Sequence, residues 1–226
     1  MTEWIKICGI TTTDDALMIA ESGATAIGLN FFPQSKRYIS PATARPIRDA
    51  VADDIDVVGV FVNSSATKVA EIVEQVGLNV VQFHGDETPE AISQFQQACP
   101  DILVVRAFRV GDDGLGDVEQ SIEDLRSAGV RLSAILLDAH VAGEYGGTGR
   151  QIDASLLQQR PKGWPPLILA GGLTPVTVAA AQAAVAPWGI DTASGVEDSP
   201  GVKSREKVAA FVAAINVKAG RMPAGV

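Results

Sequence analysis

The sequence is poor in the features that mark several large classes of protein. Its 226 residues include only two cysteines and two histidines. These are too few and too far apart for a disulfide framework or a Cys/His zinc site, so we expect no bound metal. No apolar run is long enough to cross a bilayer, and no basic segment leads an apolar one at the start, so we expect neither a membrane partner nor a signal peptide. A reducing, cytoplasmic location fits this pattern.

Positive charge is also scarce. Eighteen lysines and arginines stand against 27 aspartates and glutamates, which gives a net charge of −9. A nucleic-acid-binding protein would carry a basic face, and no lysine or arginine cluster of that kind occurs, so we expect no nucleic-acid partner. An anionic substrate would have to be held by local groups against the field of the whole protein.

One pattern of strand and helix repeats from end to end. A short β-branched, apolar run, a polar turn and a segment of helical period follow one another eight times. The predicted strands are residues 4–7, 25–31, 56–62, 79–84, 102–108, 132–138, 166–170 and 188–193. The predicted helices are residues 13–22, 41–52, 65–76, 88–99, 117–128, 153–160, 175–185 and 204–217.

Eight strand–helix units in a row predict an α/β protein with a closed (βα)8 TIM barrel. Such units form parallel strands joined by right-handed crossovers, and eight of them close a barrel. The alternative is a doubly wound open sheet, although no Gly-x-Gly-x-x-Gly follows the first strand. Because no linker divides the chain, we expect one catalytic domain over residues 1–217 and a frayed tail over residues 218–226.

Polar residues and glycines collect after the predicted strands. In a (βα)8 barrel the active site lies at the carboxyl ends of the strands. The residues placed there are Cys8, Arg37, His84, Asp138, Gly171, Gly172, Ser194 and Gly195. A thiol, a guanidinium, an imidazole, a carboxyl group and two glycine-rich turns together can carry out acid–base chemistry on an anion.

Each of these residues also has a structural interpretation. Cys8 could be a small buried hydrophobic residue instead of a catalyst. Asp138 could cap a turn or, with a pKa raised by apolar surroundings, act as a general acid. The glycine pairs could be plain turns or a phosphate site, because glycine lets backbone N–H groups approach an anion closely. His84 shares its parity with Gln82, so we expect both inside the barrel, where His84 would orient a ligand or another side chain.

A charged residue also lies inside the first predicted strand. Lys6 has the same parity as Cys8 and should point inward, where a lysine without a partner would be costly. Strands one and eight are neighbours in a closed barrel. We therefore hypothesise that Lys6 pairs with Asp191.

Taken together, these motifs resemble the phosphoribosylanthranilate isomerase family. One such motif would be a weak indication, whereas an ordered set across nearly the whole chain is a strong one. The matching segments are KICG at 6–9, GLNF at 28–31, SKRYI at 35–39, GVFVN at 59–63, VQFHG at 81–85, LLD at 136–138, GGTG at 146–149, LAGGL at 169–173, SGVE at 194–197 and PGVK at 200–203.

The resemblance implies an Amadori rearrangement without a cofactor. N-(5-phosphoribosyl)anthranilate would become 1-(2-carboxyphenylamino)-1-deoxyribulose 5-phosphate in tryptophan biosynthesis. The resemblance further implies that Cys8 is the general base and Asp138 the general acid, that Arg37 holds the anthranilate carboxylate, and that the two glycine-rich turns hold the phosphate. The base must then be unprotonated while the acid is protonated, the reverse of their ordinary order, and the group that activates Cys8 stays open.

Departures from the family pattern are small and concern binding, and the stretch from His140 to Tyr145 looks long. Lys36 stands where the second motif often has proline, which would loosen that loop. Ala193 stands where the eighth strand often has a serine, which removes one hydroxyl from the phosphate site.

Other functions stay open beside this one. A related barrel isomerase of a histidine precursor, or of both precursors, carries an aspartate where this chain has Cys8. Indoleglycerol-phosphate synthase shares the barrel but needs a lysine for ring closure, and a non-catalytic barrel could bind a phosphosugar as a sensor. In each case the expected partner is a small phosphorylated molecule, and we expect a monomer or a weak homodimer.

Overall fold

Eight parallel strands form a closed barrel in the computed structural model of the chain. The strands follow one another in sequence order, and the first pairs with the eighth. They are β1 (Trp4–Cys8), β2 (Ala26–Asn30), β3 (Asp56–Phe61), β4 (Val80–Phe83), β5 (Leu103–Val110), β6 (Ala134–Ala139), β7 (Leu167–Leu169) and β8 (Gly189–Thr192). The structure describes residues 2–51, 55–110, 115–139, 157, 160–215 and 220–225. The predicted TIM barrel is confirmed, and the open sheet is excluded.

Seven helices accompany the strands within the described ranges. They are α1 (Thr13–Glu21), α2 (Pro41–Val51), α3 (Ala66–Val76), α4 (Pro89–Ala98), α5 (Gly116–Ser127), α6 (Val178–Val185) and α7 (Arg205–Ala213). Each overlaps a predicted helix, and the ends differ by a few residues, as helix ends commonly do. The predicted helix over residues 153–160 lies almost wholly outside the described residues. No helix among those described is long and apolar enough to span a membrane.

Local signals place several helix ends where the sequence predicts them. Thr88 caps α4, since its hydroxyl accepts a hydrogen bond from the amide of Ala91 at 3.3 Å, and Pro89 follows in the first turn. Gly77 ends α3 in the left-handed region with φ 77° and donates its amide to the carbonyl of Val73.

Side chains of the strands alternate between two apolar clusters. In β4, Val81 and Phe83 join the cluster between the barrel and the helices, whereas Val80 joins the cluster inside the barrel. Gln82 and His84 share the parity of Val80 and face inward. The two-residue period of a strand thus brings these polar groups to the barrel interior, as their parity predicts.

A short hairpin after β8 is absent from the sequence-based prediction. A 3-10 turn (Ser194–Val196) leads into β9 (Glu197–Ser199), which pairs antiparallel with β10 (Val202–Lys203). The strands are too short to carry a readable period. The hairpin matters because it carries two charged side chains toward the carboxyl end of β1.

The last described segment packs against the amino end of the barrel. The amide of Gly220 donates to the carbonyl of Glu3 at 2.7 Å, and the amide of Met222 donates to Asp56 Oδ2 at 3.1 Å. Met222 is buried inside the barrel cluster with Trp4. These contacts of residues 220–225 disfavour a frayed segment there, because an apolar side chain anchors it, while the predicted domain bounds stay a prediction.

Candidate active site

A cavity of about 640 Å³ opens at the carboxyl ends of the strands, a size suited to a small molecule. Seven of the eight residues singled out in the sequence line it, namely Cys8, Arg37, His84, Asp138, Gly171, Gly172 and Ser194. The eighth, Gly195, lies in the adjoining 3-10 turn. The closed barrel thus brings together groups that are up to 187 positions apart in the chain.

Cys8 ends β1 beside the strand β2. It lies opposite Gly28, and a Cβ at Gly28 would sit only 2.6 Å from the sulfur. Gly9 then turns the chain in the left-handed region with φ 79°, and a Cβ there would meet the side chain of Arg37. The two glycines leave room for the thiol and the guanidinium at the same rim.

The electrostatic surroundings of Cys8 act in opposite directions. Burial raises the pKa of the Cys8 thiol, whereas the positive charges of Lys6, Lys203 and Arg37 lower it. The negative charge of Asp191 adds to the effect of burial, and the thiol pKa lies above its ordinary value. The cations that a thiolate needs are therefore present, although this structure favours the neutral thiol.

Lys6 and Asp191 form an ion pair inside the barrel. The Lys6 Nζ lies 2.8 Å from Asp191 Oδ2, which confirms the hypothesised pair. Burial lowers the pKa of the fully buried Lys6, but its interactions with Asp191 and, to a smaller extent, with Cys8 more than compensate, so its pKa is raised and it stays protonated. The other carboxylate oxygen, Asp191 Oδ1, is buried and has no hydrogen-bond partner among the described residues. Asp191 also lines the cavity.

His84 and Asp138 lie close together in the cavity lining. The His84 Nε2 lies 3.8 Å from Asp138 Oδ2, which is too long for a hydrogen bond. Burial, followed by the charges of Lys6, Arg109 and Arg106, lowers the pKa of His84 to about 3. The imidazole is therefore neutral at neutral pH.

Arg37 is already engaged by a residue that the sequence analysis did not single out. Its Nε and Nη2 donate to the two carboxylate oxygens of Glu197 at 2.8 and 2.6 Å. Lys203 donates to Glu197 Oε1 at 2.6 Å and to the carbonyl of Cys8 at 2.6 Å. The bidentate contact between Arg37 and Glu197 fixes the plane of the guanidinium. The Nη1 group of Arg37 donates to no residue in the described part of the chain, so it can face a ligand.

The two glycine-rich turns lie side by side. Gly171 and Gly172 have φ angles of 102° and 63°, in the region that favours glycine, and their amides donate to no described residue. The hydroxyl of Thr192 donates to the carbonyl of Leu173 at 2.7 Å and ties the two turns together. A Cβ at Gly195 would overlap that same carbonyl, so only glycine fits. Free amides on such a turn can bind an anion.

Comparison with known proteins identifies the family. Residues 5–214 match the family described as N-(5'phosphoribosyl)anthranilate (PRA) isomerase. The chain belongs to this family. The N-(5'-phosphoribosyl)anthranilate isomerase of Pseudomonas syringae pv. tomato is 43% identical over 211 residues, which cover 93% of this chain and 96% of that protein.

Solved structures of the family share the fold. The phosphoribosyl anthranilate isomerase of Thermotoga maritima is 39% identical with a TM-score of 0.81, over 94% of this chain and 97% of that one. A second isomerase structure, in complex with reduced 1-(o-carboxyphenylamino)-1-deoxyribulose 5-phosphate, is 36% identical with a TM-score of 0.78, over the same 94% and 97%. A single barrel domain is thus common to this chain and these enzymes.

Two parts of the site could not be checked against or predicted from the sequence in the same way as the strand residues. Glu197 and Lys203 belong to the segments that carry the family resemblance, but no strand or helix period showed that they would meet Arg37. The glycine-rich segment at residues 146–149 lies outside the described residues.

Proposed function

We propose that this chain isomerises N-(5'-phosphoribosyl)anthranilate to 1-(2-carboxyphenylamino)-1-deoxyribulose 5-phosphate in tryptophan biosynthesis. The isomerase family to which it belongs supports this activity. The single observation that carries the assignment of residues is that Cys8 and Asp138 line the same cavity as Arg37 and the Gly171-Gly172 turn. Base, acid and two anion-binding groups are then within reach of one substrate.

Asp138 acts as the general acid in the first step. Its proton passes to the ring oxygen of the ribose, the bond between that oxygen and C1 breaks, and the nitrogen lone pair forms the Schiff base. The acid must hold its proton until this step, which suits a carboxyl group that follows the fully buried strand residues Leu136 and Leu137. The prediction that the pKa of Asp138 is raised stays a prediction.

Cys8 acts as the general base in the second step. The thiolate removes the proton from C2, and the electron pair of that bond forms the enolamine. The enolamine then takes up a proton at C1 and gives up the proton of its C2 hydroxyl, which leaves the ketone. C2 is oxidised and C1 is reduced within one molecule, so no external oxidant is needed. Lys6 and Lys203 are the groups we propose to stabilise the thiolate, because their charges lower the thiol pKa against the effect of burial.

The ends of the substrate are held by separate groups. Arg37, oriented by Glu197, offers its Nη1 to the anthranilate carboxylate. The amides of Gly171 and Gly172, with Ser194 and Gly195 on the neighbouring turn, receive the phosphate. Asp191 Oδ1, buried at the cavity wall without a partner among the described residues, can accept a hydrogen bond from a sugar hydroxyl.

We further propose a monomer or weak homodimer in the cytoplasm. The large apolar side chains that the described surface exposes are few and scattered, namely Leu17, Tyr38, Val176 and Val202. An obligate dimer would need a continuous apolar patch. Light scattering after gel filtration tests this, and a concentration-independent dimer would contradict it.

The test of the activity is turnover of phosphoribosylanthranilate generated in the assay. We expect Cys8→Ala and Asp138→Asn to lose about 10²- to 10⁴-fold in kcat, the usual contribution of a general acid or base. Cys99→Ala is the matched control, because Cys99 is the other free cysteine and lies at the end of α4. A folded wild type without turnover would reject the proposal, and a fully active Cys8→Ala would reject the assigned base.

A further inference from the structure

A line of side chains, buried except for the partly exposed His84, crosses the inside of the barrel and joins the two halves of the site. Asp191 on β8 accepts from Lys6 on β1 at 2.8 Å, and Lys6 donates to Gln82 Oε1 on β4 at 2.8 Å. The Nε2 of Gln82 lies 2.7 Å from the Nδ1 of His84. Gln82 has no role in the proposed reaction, yet it is the link between the lysine beside the base and the histidine beside the acid.

The direction of every hydrogen bond along this line is determined. A protonated lysine has only donors, so the oxygen of the Gln82 amide must face Lys6. The amide nitrogen of Gln82 is then the group that faces His84 and can only donate. It follows that His84 Nδ1 accepts with its lone pair and that the single proton of the neutral imidazole lies on Nε2.

This proton faces the proposed acid. Nε2 lies 3.8 Å from Asp138 Oδ2, so these two atoms are close but not hydrogen-bonded while the carboxyl group keeps its proton. When Asp138 gives its proton to the ring oxygen, negative charge develops on the carboxylate. A donor this close, once it approaches to hydrogen-bond distance, stabilises the charge as it forms without removing the proton beforehand, which lowers the barrier and not only the ground state.

We propose that Gln82 is a positioning residue that fixes His84 as the Nε2–H tautomer facing Asp138. The inference rests on the proposed role of Asp138 as general acid. Gln82 itself does not touch the reacting atoms; it acts through the tautomer of His84, since the other tautomer would present a lone pair to the acid and hold its proton back.

The charges around the ring keep it in this state. Burial and the charges of Lys6 on β1 and of Arg109 and Arg106 on β5 disfavour a second proton, although the carboxyl group of Asp138 on β6 lies 3.8 Å away. The ring should therefore remain neutral near neutral pH, so that at His84 the tautomer is the variable that Gln82 controls.

The tautomer can be measured directly in the wild type. The chain has only two histidines, His84 and His140, so a His140→Gln variant assigns the ¹⁵N resonances. We expect a protonated Nε2 and an unprotonated Nδ1 at His84, unchanged between about pH 6 and pH 8. The opposite tautomer, or an imidazolium in that range, would overturn the inference without any change at Gln82.

Two substitutions of Gln82 then distinguish a role in positioning His84 from a role in packing alone. In Gln82→Glu the carboxylate accepts from both sides, so the proton should move to Nδ1, kcat should fall by about tenfold or more and KM should change little. Gln82→Met keeps the length without either hydrogen bond and should give mixed tautomers and a smaller loss. Gln96→Met is the matched control, because the buried Gln96 bonds Arg131 far from the cavity.

The outcomes distinguish this inference from the proposed function. A Gln82→Glu enzyme with the wild-type tautomer, or with the wild-type kcat, would overturn it, and so would a lower kcat in both variants without any change of tautomer. Turnover by a wild type with the wrong tautomer rejects only the positioning role. A wild type with the expected tautomer but without turnover rejects the isomerase function itself.

Discussion

Two buried aspartates at opposite ends of the barrel differ in how many of their carboxylate oxygens have hydrogen-bond partners. At the amino end, Asp56 accepts from the indole of Trp4 at 2.9 Å, from Asn79 at 3.1 Å and from the amide of Met222 at 3.1 Å, so both its oxygens are used. At the carboxyl end, Asp191 uses one oxygen for Lys6, and its Oδ1 has no partner among the described residues.

This difference indicates that the amino end of the barrel serves stability, whereas the carboxyl end serves binding and reaction. A buried polar atom without a partner costs free energy, and folded proteins keep few of them. At the amino end the carboxylate ties β1, β3 and the last described segment to one another. At the carboxyl end the unused oxygen lies in the cavity wall. We therefore expect changes at the amino end to alter stability alone and changes at the carboxyl end to alter turnover.

The largest effect should follow from breaking the ion pair inside the barrel. Lys6→Met leaves Asp191 buried without its cation, which we expect to cost about 3 to 5 kcal/mol in the free energy of unfolding and most of the turnover. Urea unfolding at pH 7 measures the first and the isomerase assay the second. The double variant Lys6→Met/Asp191→Leu should regain most of the stability but not the activity; a fully stable single variant would contradict this.

Removing the amino-end carboxylate should affect stability without affecting rate. Asp56→Ala leaves the indole of Trp4 and the amide of Met222 without an acceptor, for an expected loss of about 3 kcal/mol. Because the residue lies at the far end of the barrel, kcat and KM should stay at wild-type values. Asp49→Ala, which removes an exposed ion pair with Arg45, is the control and should be nearly neutral. A change in kcat would break the separation of the two ends.

Docking of the tail should be visible in stability as well. Met222→Ala removes a buried side chain from the barrel cluster, which we expect to cost about 2 kcal/mol. Val176→Ala truncates an exposed apolar side chain and serves as the control. Thermal and urea unfolding of both variants give the comparison, and equal stabilities would mean that the segment does not anchor the barrel.

The smallest expected effect is a pH dependence at the carboxyl end. Burial raises the pKa of Glu197, but hydrogen bonds from Arg37 and Lys203 outweigh it and hold this pKa below its ordinary value. Such a group contributes stability that is present above its unfolded pKa of about 4.3 and is lost as the pH falls through the lower folded pKa. At pH 7 we expect the free energy of unfolding of the wild type to exceed that of Glu197→Gln by about 1 kcal/mol.

Urea unfolding at a series of pH values checks this prediction. The difference between wild type and Glu197→Gln should shrink as the pH falls below about 4, and a constant difference would contradict the assignment. The variant should also have a higher KM at pH 7, because Arg37 loses its bidentate partner.

How far the site can be predicted depends on whether a residue sits in a regular strand. The inward positions of Gln82 and His84, and the pairing of Lys6 with Asp191, follow from the two-residue period and from the closure of β1 on β8. Glu197 and Lys203 lie on a hairpin of five strand residues in all. Such short strands have no period to read, so only the folded chain shows that they meet Arg37 and Cys8.

The sequence by itself determined the order of strands and helices, the barrel that eight such units close, and the types of group at the carboxyl ends of the strands, because these follow from local periodicity and from the handedness of βαβ connections. Only the tertiary structure decided that Glu197 and Lys203 meet Arg37 and Cys8, that the pKa of Cys8 is raised despite the cations around it, and that one oxygen of Asp191 has no partner among the described residues. These depend on distances of a few ångströms between residues far apart in the chain, which no local pattern encodes.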